Sequence, residues 1–238
     1  FGNVLGLPRT HRRVHRLALS AYKEYARYIV EVMRLPYMRR DQAAAWVDQS
    51  DLDPIEAIWK ESKGGLIFAL GHVGNAEAVA AAVAERGWPI NVVADDSAYP
   101  ELFEDFRRLR EDWGVHVIPW RNLREIFAVL RRKEMLALLV DWGYRADGIP
   151  VRLFDEWTTL PAGPATLAAK TGSRILPITI RRDLEREGLH YHVSFPAPIE
   201  VASSAPADLA LATQAMADAL AVTIRSAPDQ WYSFKPIW

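Results

Sequence analysis

From Gly64 onward, short apolar runs alternate with segments whose apolar residues recur every three or four positions. A short apolar run predicts a buried strand, whereas the three-to-four-residue period predicts a helix. The predicted strands are Leu66–Leu70, Ile90–Ala94, Val115–Pro119, Met135–Asp141, Ile175–Ile180 and Tyr191–Phe195, and the predicted helices are Ala76–Glu85, Glu101–Trp113, Asn122–Lys133, Ala162–Thr171 and Asp208–Ser226. This alternation is typical of an α/β fold with a central, mostly parallel or mixed sheet flanked by helices.

The segment from Thr10 to Arg40 has a helical period of its own. Its apolar positions follow three- and four-residue steps, as one helix face does: Leu17, Ala21, Tyr25, Tyr28 and Val32. Pro36 is expected to end or kink this helix. We therefore divide the chain into an N-terminal basic, amphipathic helical arm, residues 1–50, and a single α/β domain, residues 51–238.

The arm is also rich in positive charge. Between Arg9 and Arg40 it carries nine Lys or Arg residues against two Glu residues, interleaved with tyrosines. A basic, aromatic, amphipathic helix suits an anionic membrane surface. The same pattern is expected of a helix that packs on the core and leaves its basic face to solvent, and the sequence leaves both interpretations open.

Charge and composition exclude several classes of protein. The 238 residues carry a net charge of -1, whereas a nucleic-acid binder is normally clearly basic, so we expect no nucleic-acid partner. The chain has no cysteine, which excludes disulfides, cysteine-ligated zinc and a cysteine nucleophile. The unbroken apolar runs, such as Met135 to Val140, are far shorter than the roughly 18 residues of a membrane span. We therefore expect no span among these residues.

The strongest local pattern is the run Gly71-His72-Val73-Gly74-Asn75-Ala76-Glu77, which joins a predicted strand to a predicted helix. In α/β sheets, functional residues gather where strands end at their carboxyl side. Asn75 is a natural N-cap, and Glu77 falls in the first helical turn, where the helix dipole favours a carboxylate. A carboxylate that holds one imidazole nitrogen leaves the other basic, so the run predicts His72 as a general base oriented by Glu77. A purely structural turn is the alternative.

Other chemistries lack their motifs. The sequence contains no H-E-x-x-H, and the remaining histidines have no ligand spacing, so we expect no metal. It also lacks a G-x-S-x-G elbow, a P-loop and a G-x-G-x-x-G run. Serine hydrolase, nucleotide hydrolase and dehydrogenase interpretations therefore lose their main support.

Several blocks in order resemble one known family, the bacterial lipid A biosynthesis (lauroyl/myristoyl) acyltransferases with the related phosphatidylinositol mannoside acyltransferases, in the glycerolipid acyltransferase superfamily. His72 with Glu77 resembles the superfamily's H-x4-D/E motif. The further blocks are Ala26-Arg27-Tyr28, Phe68 to Asn75, Arg110 to Gly114 with Val117-Ile118-Pro119, Asp141-Trp142-Gly143, Leu160 to Ala165, Thr171-Gly172 through Leu176-Pro177, and Gln230-Trp231 with Trp238. Together they span nearly the whole chain.

The resemblance implies an acyltransferase of the glycerolipid-acyltransferase fold. It would move a fatty acyl group from acyl-CoA or acyl-carrier protein, with no other cofactor, to a hydroxyl of a membrane glycolipid or lysolipid. His72 and Glu77 would be catalytic, and Arg110, Gly74, Asn75 and Asp141 would bind substrate. Backbone N–H groups near Gly74 and Asn75 would hold the oxyanion, and Arg110 would clamp a phosphate or polarise the thioester carbonyl. The protein would work at the cytoplasmic face of the plasma membrane, as a peripheral protein.

Two positions depart from the family pattern. Gly143 stands where members often have a second acid, so Asp141 is alone, and we expect it to cap a loop or hold a basic neighbour. Pro150 stands in the run that corresponds to a glutamate-containing stretch of mannoside-type members. Two other functions stay open: a non-catalytic lipid-binding or membrane-assembly protein on the same fold, and a thioesterase in which water replaces the acceptor.

Overall fold

The computed structural model describes residues 1–96, 100–141 and 143–238, so Trp142 lies outside the described residues. The helices are α1 Gly2–Leu5, α2 Arg12–Arg34, α3 Arg40–Ala44, α4 Asp53–Glu61, α5 Ala76–Glu85, α6 Pro100–Asp112, α7 Leu123–Arg131, α8 Gly163–Thr171 and α9 Pro206–Ser226. The strands are β1 Leu66–Leu70, β2 Ile90–Ala94, β3 His116–Pro119, β4 Met135–Leu139, β5 Ile149–Leu153, β6 Glu156–Leu160, β7 Arg174–Arg182 and β8 Tyr191–Ser194. The predicted α/β class is confirmed.

The main sheet places β1 at its centre. Six strands follow the order β3-β2-β4-β1-β7-β8, and only β8 runs antiparallel to its neighbour. Phe68 is in register with Ala137 of β4 and Leu176 of β7. Every residue of β1 is buried, because helices cover both faces of a parallel sheet. The carboxyl ends of β1 and β4 therefore lie side by side.

Alternate residues of β1 belong to two separate cores. Leu66, Phe68 and Leu70 pack with α3 and α5 on one face of the sheet. Ile67 and Ala69 pack with α7, α8 and α9 on the other. The two-residue alternation of a strand thus divides one continuous apolar run between both cores.

Helices α1, α3 and α4 and the hairpin β5–β6 are not among the elements predicted from the sequence. Helix α4 lies before the region where we predict the α/β alternation, and the antiparallel hairpin β5–β6 falls where we predict no strand. The hairpin packs against α9 through Val151 and Leu160, which are buried with Ala217. Pro150 interrupts its first strand and β6 begins with exposed residues, so neither strand has a clear apolar run.

The arm helix α2 ends where Pro36 predicts. It stops at Arg34 and a 3₁₀ turn, Leu35–Tyr37, follows. Tyr25 and Tyr28 pack against Tyr232, and Ser20 donates a hydrogen bond to Asp229. One face of α2 therefore lies on the residues that follow α9. Leu19, Val30 and Met33 are 58%, 59% and 68% exposed. The arm therefore has both a packed face and an exposed face that is partly apolar.

By length and composition, α9 could cross a membrane. The most apolar 18-residue window of this 21-residue helix has a mean hydropathy of 1.3, and 44% of that window is buried. The sequence analysis predicts that no segment is long and apolar enough to span a membrane. Helix α9 meets both criteria, so this prediction is corrected for α9. The helix packs against β5 and β7 and contributes Ala212, Met216 and Leu220 to the core. Core helices pass the same criteria, so this finding is weak evidence for a span.

Candidate active site

Two side chains from neighbouring strands meet at the carboxyl edge of the sheet. His72 follows β1, and Asp141 follows β4, which pairs with β1 in parallel. The imidazole Nδ1 of His72 lies 2.5 Å from Asp141 Oδ1. The backbone N–H of His72 donates to Asp141 Oδ2 at 2.9 Å. The carboxylate therefore fixes both the backbone and the ring of His72.

The contact assigns the protons of the imidazole. An ionised carboxylate can only accept, so Nδ1 of His72 carries the hydrogen and the basic nitrogen of the neutral ring is Nε2. The Asp141 side chain is fully buried, whereas the His72 side chain is 22% exposed. The pair thus has an enclosed carboxylate end and an accessible imidazole end, as general-base catalysis requires.

Asp141 stays ionised despite its burial. Burial alone would raise its pKa, but the electrostatic interaction with His72 and hydrogen bonds from the His72 ring, the His72 backbone and Trp231 outweigh it. The pKa of Asp141 is therefore lowered from its ordinary value. Charged at neutral pH, Asp141 can stabilise the imidazolium that forms when His72 takes a proton. From the sequence, Asp141 is expected to cap a loop or hold a basic neighbour, and the resemblance implies that it binds substrate; in the structure it is fully buried and its carboxylate contacts His72.

The C-terminal segment closes over the His72 turn. The backbone N–H of Tyr232 donates to the His72 carbonyl at 2.7 Å, and the N–H of Gly74 donates to the Gln230 carbonyl at 3.2 Å. The indole N–H of Trp231 reaches Asp141 Oδ2 at 2.8 Å. The sequence singles out Gln230 and Trp231 only through the family resemblance, and it gives no sign that they touch the site.

Glycine is required at two positions of this turn. Gly74 has a φ of +68°, and a Cβ there would lie 2.5 Å from the Ile180 carbonyl oxygen. A Cβ on Gly71 would approach the Leu220 side chain to 2.6 Å and Asp141 Oδ2 to 3.2 Å. Because its N–H is bonded to Gln230, Gly74 does not offer the free oxyanion donor that we expect from the sequence. Its absent side chain instead lets the turn pack against β7.

Glu77 lies in the first turn of α5, as predicted, but its carboxylate faces Arg110. Arg110 donates from Nε to Glu77 Oε2 at 2.9 Å and from Nη2 to Oε1 at 2.5 Å. The sequence predicts that Glu77 orients His72; in the structure the carboxylate on His72 Nδ1 is that of Asp141. Local spacing suggested the nearer acid, whereas sheet pairing supplies the one that lies 69 residues away.

The Glu77–Arg110 pair is partly enclosed beneath the arm. The side chains are 11% and 17% exposed, and the two parallel hydrogen bonds fix their relative orientation. Burial would lower the pKa of Arg110, but the charge of Glu77 and its hydrogen bond outweigh burial and raise it. Burial, together with the charge of Glu77, also raises the pKa of Tyr28 on α2. The pair is therefore a fixed ionic contact between α5 and α6.

The neighbouring arginines of α6 behave differently. Arg107 is paired with Glu104 and Glu111 on its own helix, and Arg108 with Glu104. Only Arg110 of these three reaches across to α5. Arg110, which the family resemblance selects, therefore faces inward, whereas the side chains of Arg107 and Arg108 lie on the outer part of α6.

Asn75 has the N-cap role that the sequence predicts. Its Oδ1 accepts from the Ala78 N–H at 3.1 Å, and its Nδ2 donates to Glu31 of α2 at 2.9 Å. The residue is fully buried. Both ends of its side chain are engaged by protein groups, so Asn75 positions α5 against the arm, and any contact with substrate must come through its backbone.

We expect Arg110→Ala to lower both activity and stability, because it leaves the Glu77 carboxylate partly buried without its partner. The expected loss of unfolding free energy is about 2–3 kcal/mol, somewhat less than for a fully buried pair. Arg108→Ala is the matched control, since that side chain is 68% exposed. Urea unfolding and turnover measured on both variants check this. Equal, small effects of the two substitutions would contradict the structural role of the pair.

A buried carboxylate that orients an accessible imidazole at the carboxyl ends of two central parallel strands defines an α/β protein equipped for general-base chemistry. The chain belongs to the bacterial lipid A biosynthesis acyltransferase family, whose family model matches residues 4–238. The resemblance drawn from the sequence is confirmed over nearly the whole chain. The protein is an acyltransferase that acts on lipids.

Curated relatives give the same class. A phosphatidylinositol mannoside acyltransferase of Mycobacterium tuberculosis (strain CDC 1551 / Oshkosh) is 31% identical over 229 residues, which cover 93% of this chain and 70% of that protein. A phosphatidylinositol mannoside acyltransferase of Mycolicibacterium smegmatis is 27% identical over 227 residues, which cover 93% of this chain and 72% of that protein. The chain is thus similar to phosphatidylinositol mannoside acyltransferases over 93% of its length.

Proposed function

We propose that the protein transfers a fatty acyl group from the thioester of acyl-CoA or acyl-carrier protein to a hydroxyl of a membrane glycolipid or lysolipid, with His72 as general base and Asp141 as its orienter. The observation that carries this proposal is the 2.5 Å contact between His72 Nδ1 and the fully buried Asp141. It leaves Nε2 of an accessible ring as the proton acceptor. The names of the relatives support a glycolipid acceptor.

During the transfer, the imidazole of His72 takes up one proton and then releases it. Nε2 of His72 takes the proton of the acceptor hydroxyl as its oxygen attacks the thioester carbonyl carbon. The tetrahedral intermediate collapses, the carbon–sulfur bond breaks, and the thiolate receives the proton from Nε2. Asp141 stabilises the transient imidazolium throughout. No acyl-enzyme forms on cysteine, because the chain has none.

The oxyanion and the substrate contacts follow from the same edge. The amino end of α5 lies directly after the His72 turn, and helix amino ends favour negative charge. The backbone N–H groups of Asn75, Ala76 and Glu77 are our candidates for the oxyanion, in place of those of Gly74 and Ala78, which donate to Gln230 and Asn75. Glu77 acts by fixing Arg110, whose remaining N–H donors can face a phosphate or the thioester carbonyl.

The test is thioester consumption by the purified protein, measured with and without a lipid acceptor. Consumption that requires the acceptor and yields acylated lipid supports transfer. Consumption that is equal without acceptor and releases fatty acid would identify a thioesterase. Binding of lipid with no consumption in either case would identify a non-catalytic lipid-binding protein.

The arm is proposed to hold the protein at the membrane surface. Residues of α2 at successive steps of three, four and seven positions lie on one helix face, and here they combine charge with exposed apolar side chains: Arg12, Arg16, Leu19, Lys23, Val30 and Met33. Val14, Ala21 and Val32 are buried on the packed side. The packing interpretation therefore fits one face and the membrane interpretation the other. Because the acceptor is an insoluble membrane lipid, the exposed face would hold the protein at the surface where the acceptor lies.

We expect Arg12→Glu with Arg16→Glu to weaken binding to vesicles that contain anionic lipid. Each basic residue near such a surface contributes about 1 kcal/mol, and the contribution falls as salt screens it. The control is Arg124→Glu with Arg131→Glu, an equal charge change on exposed positions of α7. Co-sedimentation across anionic lipid content and salt measures the effect. Binding that is indifferent to salt, or equally reduced by both pairs, would contradict the role of the arm.

A further inference from the structure

We propose that Trp231 is a positioning residue for acyl transfer, whose indole N–H holds the Asp141 carboxylate in the orientation that presents Oδ1 to His72. The inference rests on the proposed function, because it assigns a task within the same site. It concerns the C-terminal segment, Gln230–Ser233, which is far from His72 and Asp141 along the chain.

The carboxylate of Asp141 has its two oxygens in different roles. Oδ1 faces the His72 ring at 2.5 Å. Oδ2 accepts from the His72 backbone N–H at 2.9 Å and from Trp231 Nε1 at 2.8 Å. Two donors on Oδ2 resist rotation of the carboxylate, and rotation would move Oδ1 away from the imidazole. The indole is the only one of these donors that comes from outside the His72 turn.

Trp231 is itself held in place on both sides. Gln230 takes the Gly74 N–H on its carbonyl, and its side chain accepts from the Arg182 N–H at 2.7 Å and donates to the Arg182 carbonyl at 3.2 Å. Tyr232 donates to the His72 carbonyl. The segment therefore joins the end of β7 to the turn after β1. This bracing gives the indole N–H a fixed direction toward Asp141.

The surroundings of Asp141 make its charge sensitive to this donor. The titratable group that acts on it is His72, on the turn after β1. The C-terminal segment contributes the neutral Trp231 and Ser233, which donates to the Asp141 carbonyl at 3.1 Å. From α9, the apolar Leu220 lies beside Gly71. Because water does not reach the buried carboxylate, losing one donor is not offset by solvent.

The alternative for Trp231 is core filling. Its ring is 3% exposed and packs edge-on against Phe1. A residue that only fills space would affect stability when truncated but would leave the titration of the site unchanged. The pH dependence of the reaction therefore separates a positioning role from a packing role.

The experiment compares Trp231→Phe with Trp59→Phe in the full chain. Phenylalanine keeps an aromatic ring at each position but removes the indole N–H. Trp59 is a matched control because its indole also donates a hydrogen bond, to the Lys133 carbonyl at 2.6 Å, at the opposite end of β4 from Asp141. Turnover and KM are measured across pH for both variants and for the unmodified protein.

For Trp231→Phe we expect turnover to fall about tenfold with little change in KM, since one hydrogen bond to a buried charged group is lost. A carboxylate that rotates away from the ring stabilises the imidazolium less, so the acid limb of the rate profile should move to lower pH. Trp59→Phe should match the unmodified protein in both respects. A Trp231→Phe protein with unchanged turnover and an unchanged acid limb would overturn the proposal.

A second measurement covers the case in which Trp231→Phe does not fold. In the unmodified protein, the assigned indole N–H resonance of Trp231 should move as His72 is titrated, and it should shift when Asp141 is replaced by Asn. A resonance that responds to neither would overturn the inference. Measuring His72→Ala in the same rate assay distinguishes failure of the proposed function from failure of the role of Trp231. If His72→Ala retains turnover, the proposed function fails; if it loses turnover while Trp231→Phe behaves like the unmodified protein, only the role of Trp231 fails.

Discussion

His72→Ala is expected to lower the rate of acyl transfer by about two to four orders of magnitude, the usual range for loss of a general base. The ring lies at the end of β1 and is partly exposed, so its removal leaves both cores intact. Without Nε2, the acceptor hydroxyl must lose its proton to water, and the thiolate leaves unprotonated. Turnover of purified protein with thioester and lipid acceptor measures the effect.

The control for His72→Ala is His116→Ala. His116 is exposed at the amino end of β3, at the opposite edge of the sheet from the site. It should keep the activity of the unmodified protein. Thermal unfolding of both variants establishes that they are folded. A folded His72→Ala protein with nearly full turnover would rule out His72 as the base.

Asp141→Asn is expected to reduce turnover by about three orders of magnitude while keeping the shape of the site. The reason is the position of the hydrogen on the His72 imidazole. An amide Nδ2 placed where Oδ1 now lies donates to His72 Nδ1, so the ring must carry its hydrogen on Nε2. That tautomer cannot accept the proton of the hydroxyl. The substitution also removes the charge that stabilises the imidazolium.

Asp183→Asn is the matched control for this substitution. Asp183 Oδ2 contacts His192 Nε2 at 3.2 Å, so it too is a carboxylate paired with an imidazole, but on the loop between β7 and β8. It should leave turnover unchanged. If Asp141→Asn and Asp183→Asn had equally small effects, the contact with His72 would be structural, and another group would have to orient the base.

Sequence patterns predict much of this fold because each predicted element depends on local chemistry. Buried parallel strands are continuous apolar runs, and Leu66–Leu70 and Ile90–Ala94 are found with the predicted bounds. Gly114 and Gly172, with φ of +83° and +72°, follow the ends of α6 and α8, because a residue without a Cβ adopts this backbone conformation most easily. The β5–β6 hairpin is missed because its burial comes from contact with α9, which no local pattern encodes.

The candidate site shows the same division between local and long-range information. His72 is identified because its turn has its own sequence signature. The carboxylate that pairs with its ring is not identified from the sequence, because Asp141 becomes a neighbour of His72 only when β1 and β4 align in parallel. Glu77 satisfies the local logic of a helix start, but Arg110 on α6 supplies a bidentate partner that the spacing within one turn does not reveal.

The most direct test of the account follows the acyl group itself. The purified protein is incubated with a thioester whose acyl chain is deuterium-labelled and with a lipid extract rich in glycolipid. The lipids are then analysed by mass spectrometry. We predict that the label appears as one additional acyl chain on a lipid that carries a free hydroxyl, and that His72→Ala does not produce this species. Label that appears only as free fatty acid, or on lipid to the same extent with His72→Ala, would contradict the account.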